Sequence, residues 1–233
     1  MLLFHGCGGV QAHLDAYAQA AAEAGVRAFV VDSFAPRGWG RRFGLTLVCT
    51  GARFGGAERA GDVLAALHGI AARPDVDPAR LGLAGWSHGA WAMMDLMTMP
   101  LTRPGEARLA DPSPAPLAGL KSLSFFYAYV GLGTRGGRRP WLRAAPALAV
   151  VAERDHLAKP ARHAVVHRRC EAAGGAVRAW IAEGVGHAFD QPDENGAWPP
   201  PRLANQALQS RDLFADHLRR TLVEAAPAQT GMA

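Results

Sequence analysis

Gly85-Trp86-Ser87-His88-Gly89 sets a serine between two glycines at the spacing G-x-S-x-G. A serine hydroxyl becomes a useful nucleophile when a base takes its proton and an acid orients that base. The segment follows Arg80-Leu81-Gly82-Leu83-Ala84, an apolar run that reads as a buried strand, and precedes Ala90–Met97, which reads as a helix. This context fits a sharp elbow that lifts Ser87 clear of a sheet. Gly85 and Gly89 leave room where the strand and helix backbones nearly collide. The backbone N–H of His88 then stands at a helix N-terminus, where unpaired donors and the helix dipole favour a developing oxyanion. A bare G-x-S-x-G also arises by chance as a glycine-rich turn, so the reading depends on partners for Ser87.

The expected chain order is serine, acid, histidine. His187, in Gly184-Val185-Gly186-His187-Ala188-Phe189-Asp190, follows the last expected strand, so its loop opens at the same C-terminal edge as Ser87. The acid follows by elimination. Asp95 lies inside the elbow helix, Glu106 and Asp111 precede the next strand, Glu171 ends a helix and Glu183 is on or near the last strand. Asp155 follows the strand Ala147–Ala152 by a few residues, with Glu153 as the runner-up and a salt bridge as its plainer role. A second oxyanion donor is required from the turn after the first strand, His5-Gly6-Cys7-Gly8-Gly9, which assigns the two donors to the backbones of Cys7 and His88. The Cys7 side chain reads as a small apolar filler.

Elements must place these residues at one edge. Strands are expected at Met1–Phe4, Val26–Val31, the run before the elbow, Ser122–Val130, Ala147–Ala152 and Ala176–Ala182. Helices are expected at Val10–Ala24 (capped by Gly25), Glu58–Ala72, Ala90–Met97, Pro160–Ala173 and Leu203–Ala226. Pro100–Pro116 reads as an irregular excursion, and Pro227–Ala233 as a frayed tail. Alternating strands and helices imply an α/β fold with a doubly wound, mostly parallel sheet. The long loop Asp32–Arg42 is read as non-helical because of its glycines, and as functional because of its length.

Bulk composition narrows the function classes. The 233 residues suit one domain over 1–233, with no break that would mark a second. Apolar residues make up 49% and charged residues 19%, enough for a sizeable core. The net charge is +5, but Lys121 and Lys159 are the only lysines and no basic tract alternates with aromatics, so nucleic acid is not an expected partner. No apolar run reaches membrane-spanning length, and the N-terminus lacks the basic region of a signal peptide, so no membrane partner is expected. Cys7, Cys49 and Cys170 are too few and odd in number for a disulfide framework, which fits a reducing, cytoplasmic setting.

HGCGG after a strand, GWSHG at the elbow, ERD after a strand and GHAFD after the last strand together resemble the dienelactone hydrolase-like family of α/β-hydrolases over nearly the whole chain. The resemblance implies a minimal α/β-hydrolase fold without a large cap, and carboxylic ester hydrolase activity. Dienelactone hydrolase itself has a cysteine where this sequence has Ser87, which points to a serine-esterase branch. The chain also starts at what would be the family's third strand, so the first strands are expected to be missing. One sheet edge would then lie open, favouring a homodimer or a tolerated edge. A relative's use of arginines for a substrate carboxylate turns attention to Arg37, Arg41, Arg42 and Arg53. Arg37 is favoured because Pro36 and Gly38 fix a turn that could aim it inward, with Phe34, Trp39 and Trp86 as further substrate contacts.

Two other patterns carry less. Gly131-Leu132-Gly133-Thr134-Arg135-Gly136 fits G-x-G-x-x-G, but Pro140 and Pro146 interrupt the helix a dinucleotide site needs. His163 and His167 stand four apart without the glutamate of a zinc motif and read as a solvated helix face. The sequence therefore predicts a serine esterase with Ser87, Asp155 and His187 as its triad, a small-molecule ester or lactone as substrate, and no cofactor or metal. A peptidase or acyltransferase would use the same triad, though such peptidases usually carry a gating domain. A non-catalytic binding protein would commonly have lost a triad member.

Overall fold

The computed structural model describes residues 1–193, 197–198 and 201–224. Six strands form one all-parallel sheet: β1 (Leu2–Phe4), β2 (Phe29–Val31), β3 (Leu81–Trp86), β4 (Leu120–Phe126), β5 (Ala147–Ala152) and β6 (Val177–Ala182). Their spatial order is β2-β1-β3-β4-β5-β6. The chain moves outward from β1 to β2, then returns to lay β3 on the other side of β1. That reversal opens a crevice beyond the C-terminal ends of β1 and β3, where ligands of open α/β sheets bind.

The helices are α1 (His13–Glu23), α2 (Arg41–Phe43, a single turn), α3 (Gly56–Ala71), α4 (His88–Met97), α5 (Pro160–Ala172) and α6 (Pro201–Leu218). Helices α3, α4 and α5 bury one face of the sheet and α1 and α6 the other. Alternate strand residues serve the two layers: Leu81 and Leu83 face α3 and α4, whereas Ala84 and Trp86 face α1 and α6. Every residue of β1, β3 and β5 is buried, which is why these strands read as unbroken apolar runs. Among the described residues no large cap covers the C-terminal edge, and no helix is long and apolar enough to cross a membrane.

Several boundaries differ from the sequence reading. The first helix begins at His13 rather than Val10 and is closed by Gly25 in the left-handed region, φ 82°. Only Phe29–Val31 of the expected second strand pairs. Strand β4 stops at Phe126 because Tyr127 turns the chain with φ 34°. The final helix passes into a π-helical turn at Arg219–Val223. Its expected last residues and the 227–233 tail lie outside the described residues.

The largest correction concerns the arginine-rich loop, which is substantially helical. A 3-10 turn covers Ala35–Arg37, and α2 continues into a π-helical turn at Gly44–Val48. The Asp32 carboxylate starts the first turn by accepting the amides of Phe34 and Ala35 at 2.8 and 3.0 Å. Gly38 and Gly40 sit at the ends of these turns rather than inside them. At Gly44 a β-carbon would run into the Cys7 carbonyl and the Phe34 ring, so this glycine lets the segment press onto the 5–9 turn.

Candidate active site

Ser87 joins β3 to α4 with φ 50° and ψ −108°, a backbone conformation costly for a residue with a β-carbon. The surroundings force it. A β-carbon on Gly85 would lie 2.6 Å from the Ala90 amide nitrogen, and one on Gly89 would strike the Phe4 carbonyl at the end of β1. The elbow is therefore clamped between its own helix and the neighbouring strand. The Ser87 amide donates to the Phe126 carbonyl at 2.9 Å, and the Ser87 carbonyl accepts the Trp91 amide at 3.0 Å.

The structure brings Ser87, His187 and Asp155 together. Ser87 Oγ–H donates to His187 Nε2 at 2.8 Å, and His187 Nδ1–H donates to Asp155 Oδ2 at 2.7 Å. The second Asp155 oxygen accepts the amides of Leu157 and Ala158 at 2.8 and 3.0 Å. Burial alone would raise the Asp155 carboxyl. The His187 hydrogen bond and the two amides outweigh it and hold the group below its ordinary value. Glu153 is exposed and pairs with Arg154 at 4.0 Å, the expected salt bridge; it also accepts the Gly184 amide at 2.8 Å and so fastens the start of the His187 loop.

A further carboxylate fixes that loop's other end. Asp190 is fully buried and accepts Tyr17 Oη–H and Tyr127 Oη–H, each at 2.7 Å. The Tyr127 ring meets the His187 imidazole edge-on, 5.0 Å between centroids. The sequence reading missed this clamp, although Asp190 closes the GHAFD segment three residues after His187. Asp95 is committed to other partners. It is buried on α4, accepts Trp91 Nε1–H and the amides of Arg135 and Gly136, and is raised by burial to about 6. It thereby anchors the G-x-G-x-x-G turn.

Across from the elbow lies the 5–9 turn. Gly6 packs against Ser87; a β-carbon there would stand 3.5 Å from the serine's own. His5 is buried; its Nδ1–H donates to the Gly6 carbonyl at 2.6 Å, and its Nε2 accepts the Ser33 amide at 3.2 Å. Burial, aided by the nearby Arg59 charge, pushes its pKa down to about 3, so the ring is neutral. Cys7 corrects the sequence reading. It is disulfide-bonded to Cys49, tying the 5–9 turn to the end of the helical 41–48 segment. The cysteine pattern therefore no longer argues for a reducing compartment. Cys170 alone is free and buried.

A cleft of about 510 Å³ opens over Ser87, lined by Cys7, Arg41, Leu45, Cys49, His187 and Trp198 among others. The expected substrate residues fare unevenly. Trp86 is fully buried and stacks on Phe126, with centroids 4.5 Å apart, because strand alternation turns it into the α1–α6 layer. Phe34 and Trp39 line an adjoining pocket of about 430 Å³ rather than the cleft itself. Arg37 does not aim inward. Its guanidinium makes a two-pronged ion pair with Asp62, at 2.9 and 2.8 Å, and lies over the Phe54 ring. Arg41, at the start of α2, lines both spaces instead.

Two more sequence readings change. His163 is buried rather than solvated, and its Nε2–H donates to the Ala158 carbonyl at 3.2 Å beneath the Asp155 loop. Arg59 is a functional residue outside the sequence-based site: it is fully buried on α3 beside His88. The signal was available: Arg59 stands four residues before Val63 and eight before Leu67, on the apolar face of its helix.

Comparison with known proteins places the fold. No protein-family model matches the sequence, and no curated protein matches it. Solved structures do match. A candidate dienelactone hydrolase from Klebsiella pneumoniae subsp. pneumoniae superposes with a TM-score of 0.64 at 16% identity, covering 92% of this chain and 85% of that one. Esterase 2 of Thermogutta terrifontis, phosphorylated by paraoxon, gives 0.67 at 16% identity, covering 97% and 84%. A dienelactone hydrolase-like promiscuous phosphotriesterase from metagenomic libraries gives 0.59 at 17% identity, covering 93% and 85%. The fold is that of the α/β-hydrolases, shared with dienelactone hydrolase-like proteins and esterases.

Proposed function

We propose that the protein is a serine hydrolase that cleaves a carboxylic ester or lactone through an acyl-enzyme. The observation that carries this reading is the unbroken chain of hydrogen bonds from Ser87 Oγ through His187 to Asp155, at 2.8 and 2.7 Å, mounted on a strained elbow. His187 takes the serine proton as Oγ attacks the ester carbonyl, then returns it to the leaving alcohol. Asp155 keeps the Nδ1–H tautomer in place and stabilises the imidazolium that forms. The amides of Cys7 and His88 receive the oxyanion. The packing of Gly6 on Ser87 supports the first donor, and the position of His88 at the start of α4 supports the second. Water, activated by the same imidazole, then releases the acid. None of these steps calls on a metal or cofactor. The structural neighbours include an esterase and a dienelactone hydrolase-like enzyme, in keeping with this chemistry.

Arg41 replaces Arg37 as the cation that would favour an ester carrying a carboxylate, since it borders the cleft. The described elements share one sheet, which supports one domain over 1–233. A panel of p-nitrophenyl esters and lactones, assayed with wild type and Ser87→Ala, tests the function. Turnover in wild type that vanishes in a folded Ser87→Ala variant is expected. Equal turnover in both would overturn it.

A further inference from the structure

Arg59 is a cation placed where none is ordinarily tolerated. It is fully buried, and among the described residues no carboxylate lies within ion-pair distance of it. The charges of Asp62 and Asp32 favour its ionised form from farther off, but burial outweighs them, so its retention calls for a reason. Its contacts supply one. Nη1–H donates to His88 Nδ1 at 3.2 Å, and Nε–H donates to Ser33 Oγ at 3.1 Å. The first contact reaches the residue after the nucleophile. The second reaches the residue whose amide fixes His5, and His5 in turn holds the Gly6 carbonyl of the 5–9 turn. Nη2 has no partner.

We infer that Arg59 is a positioning residue that joins the two halves of the oxyanion hole and sets a buried positive charge behind it. The inference rests on the proposed assignment of the Cys7 and His88 amides as the donors. Each donor belongs to a different segment, one from the turn after β1 and one from the elbow. An oxyanion hole works because its donors are fixed before the reaction, and two independent segments need a common brace. The planar fork of a guanidinium can serve both directions at once, which a lysine ammonium cannot reproduce. The charge acts from a fully buried site, where it is weakly screened. Burial lowers the guanidinium pKa to about 9, so it remains charged at neutral pH.

The test compares wild type with Arg59→Met and Arg59→Lys, each verified as folded by its circular dichroism and assayed well below its melting temperature. Turnover is measured beside inhibition by a trifluoromethyl ketone, whose adduct with a serine carries an oxyanion, and by a carboxylic acid product, which does not. Arg59→Met is expected to lose about 10- to 100-fold in kcat, less than the roughly 100- to 1,000-fold of deleting a donor. KM and product inhibition should stay within threefold, and ketone affinity should fall in step with kcat. Arg59→Lys should recover part of kcat. A folded Arg59→Met with unchanged kcat and ketone affinity overturns the inference, as does an equal loss of ketone and product binding, which would mark a merely structural arginine. Should Arg59→Met not fold, Ser33→Ala cuts one arm of the brace; a several-fold loss in kcat at constant KM supports the inference and no loss overturns it. A wild type inert toward every ester and the ketone would instead sink the serine-hydrolase reading, and this inference with it.

Discussion

Two loops flank Ser87 at the C-terminal edge of the sheet, and they are held in different ways. The His187 loop is fastened at both ends to the body of the protein. Glu153 accepts the Gly184 amide, and Asp190 accepts hydroxyls from α1 and from the turn after β4. The 32–54 segment is folded largely upon itself. Phe34, Trp39, Phe43 and Phe54 pack together, Arg37 spans them to Asp62, and Cys49 is bonded to Cys7. In the proposed mechanism the first loop has one task, the placement of an imidazole, and its polar anchors suit it. The second forms a wall of the cleft, and its own small apolar core defines its shape. Rigid anchoring of the chemistry beside a separately folded wall would let substrate preference change without disturbing the triad.

The comparison breaks most visibly at the acid. Asp155→Asn should lose about 10⁴-fold in kcat, since the wrong imidazole tautomer is then favoured. Glu153→Gln should stay within threefold while lowering the melting temperature slightly. The reverse result would move the acid to Glu153 and make the loop's fastening its chemistry. In the opposite loop, the 42-residue separation of Cys7 and Cys49 gives the disulfide a stabilising effect of about 4 kcal/mol on the chain-entropy account. Cys49→Ser should show that loss in urea denaturation, yet keep Ser87 reactive. A variant as stable as wild type would show that the wall does not depend on its crosslink.

Asp190→Asn removes the charge from two hydroxyl hydrogen bonds, an expected cost of about 1.5–3 kcal/mol. Because Asp190 sits three residues from His187, kcat should fall with stability, whereas Cys49→Ser should separate the two. If Asp190→Asn loses stability alone, the His187 loop is held by something else. The smallest effect concerns the arginines. Arg37→Gln should leave unchanged the rate ratio between a dicarboxylic monoester and its neutral diester, because Arg37 is engaged by Asp62. Arg41→Gln should abolish a preference for the anion of roughly tenfold. A loss in Arg37→Gln instead would restore the sequence-based choice.

What the sequence disclosed divides along the same line. The strand order of events, the elbow and the partners of Ser87 were legible because they depend on local patterns: apolar runs, paired glycines and residues just past strand ends. The wall was not. Its glycines suggested an irregular loop, yet they cap turns or permit close contact, as Gly44 does against Cys7. The pairing of Cys7 with Cys49 required that fold to be known. Arg37 looks poised because its turn is local in sequence, whereas its partner Asp62 stands 25 residues on, in α3. Trp86 adjoins the serine in sequence, but strand alternation sends it to the opposite layer. Arg59 stood on an apolar helix face in plain view, but its meaning came only with Ser33 and His88 beside it.

The central claim is that Ser87 is a nucleophile activated by His187. Intact mass spectrometry after incubation with a fluorophosphonate measures this directly. The account predicts one adduct per chain, carried on the peptide containing Ser87, absent from Ser87→Ala and formed far more slowly in His187→Ala. A folded wild type that takes up no adduct, or a Ser87→Ala variant labelled as fast as wild type, would contradict it.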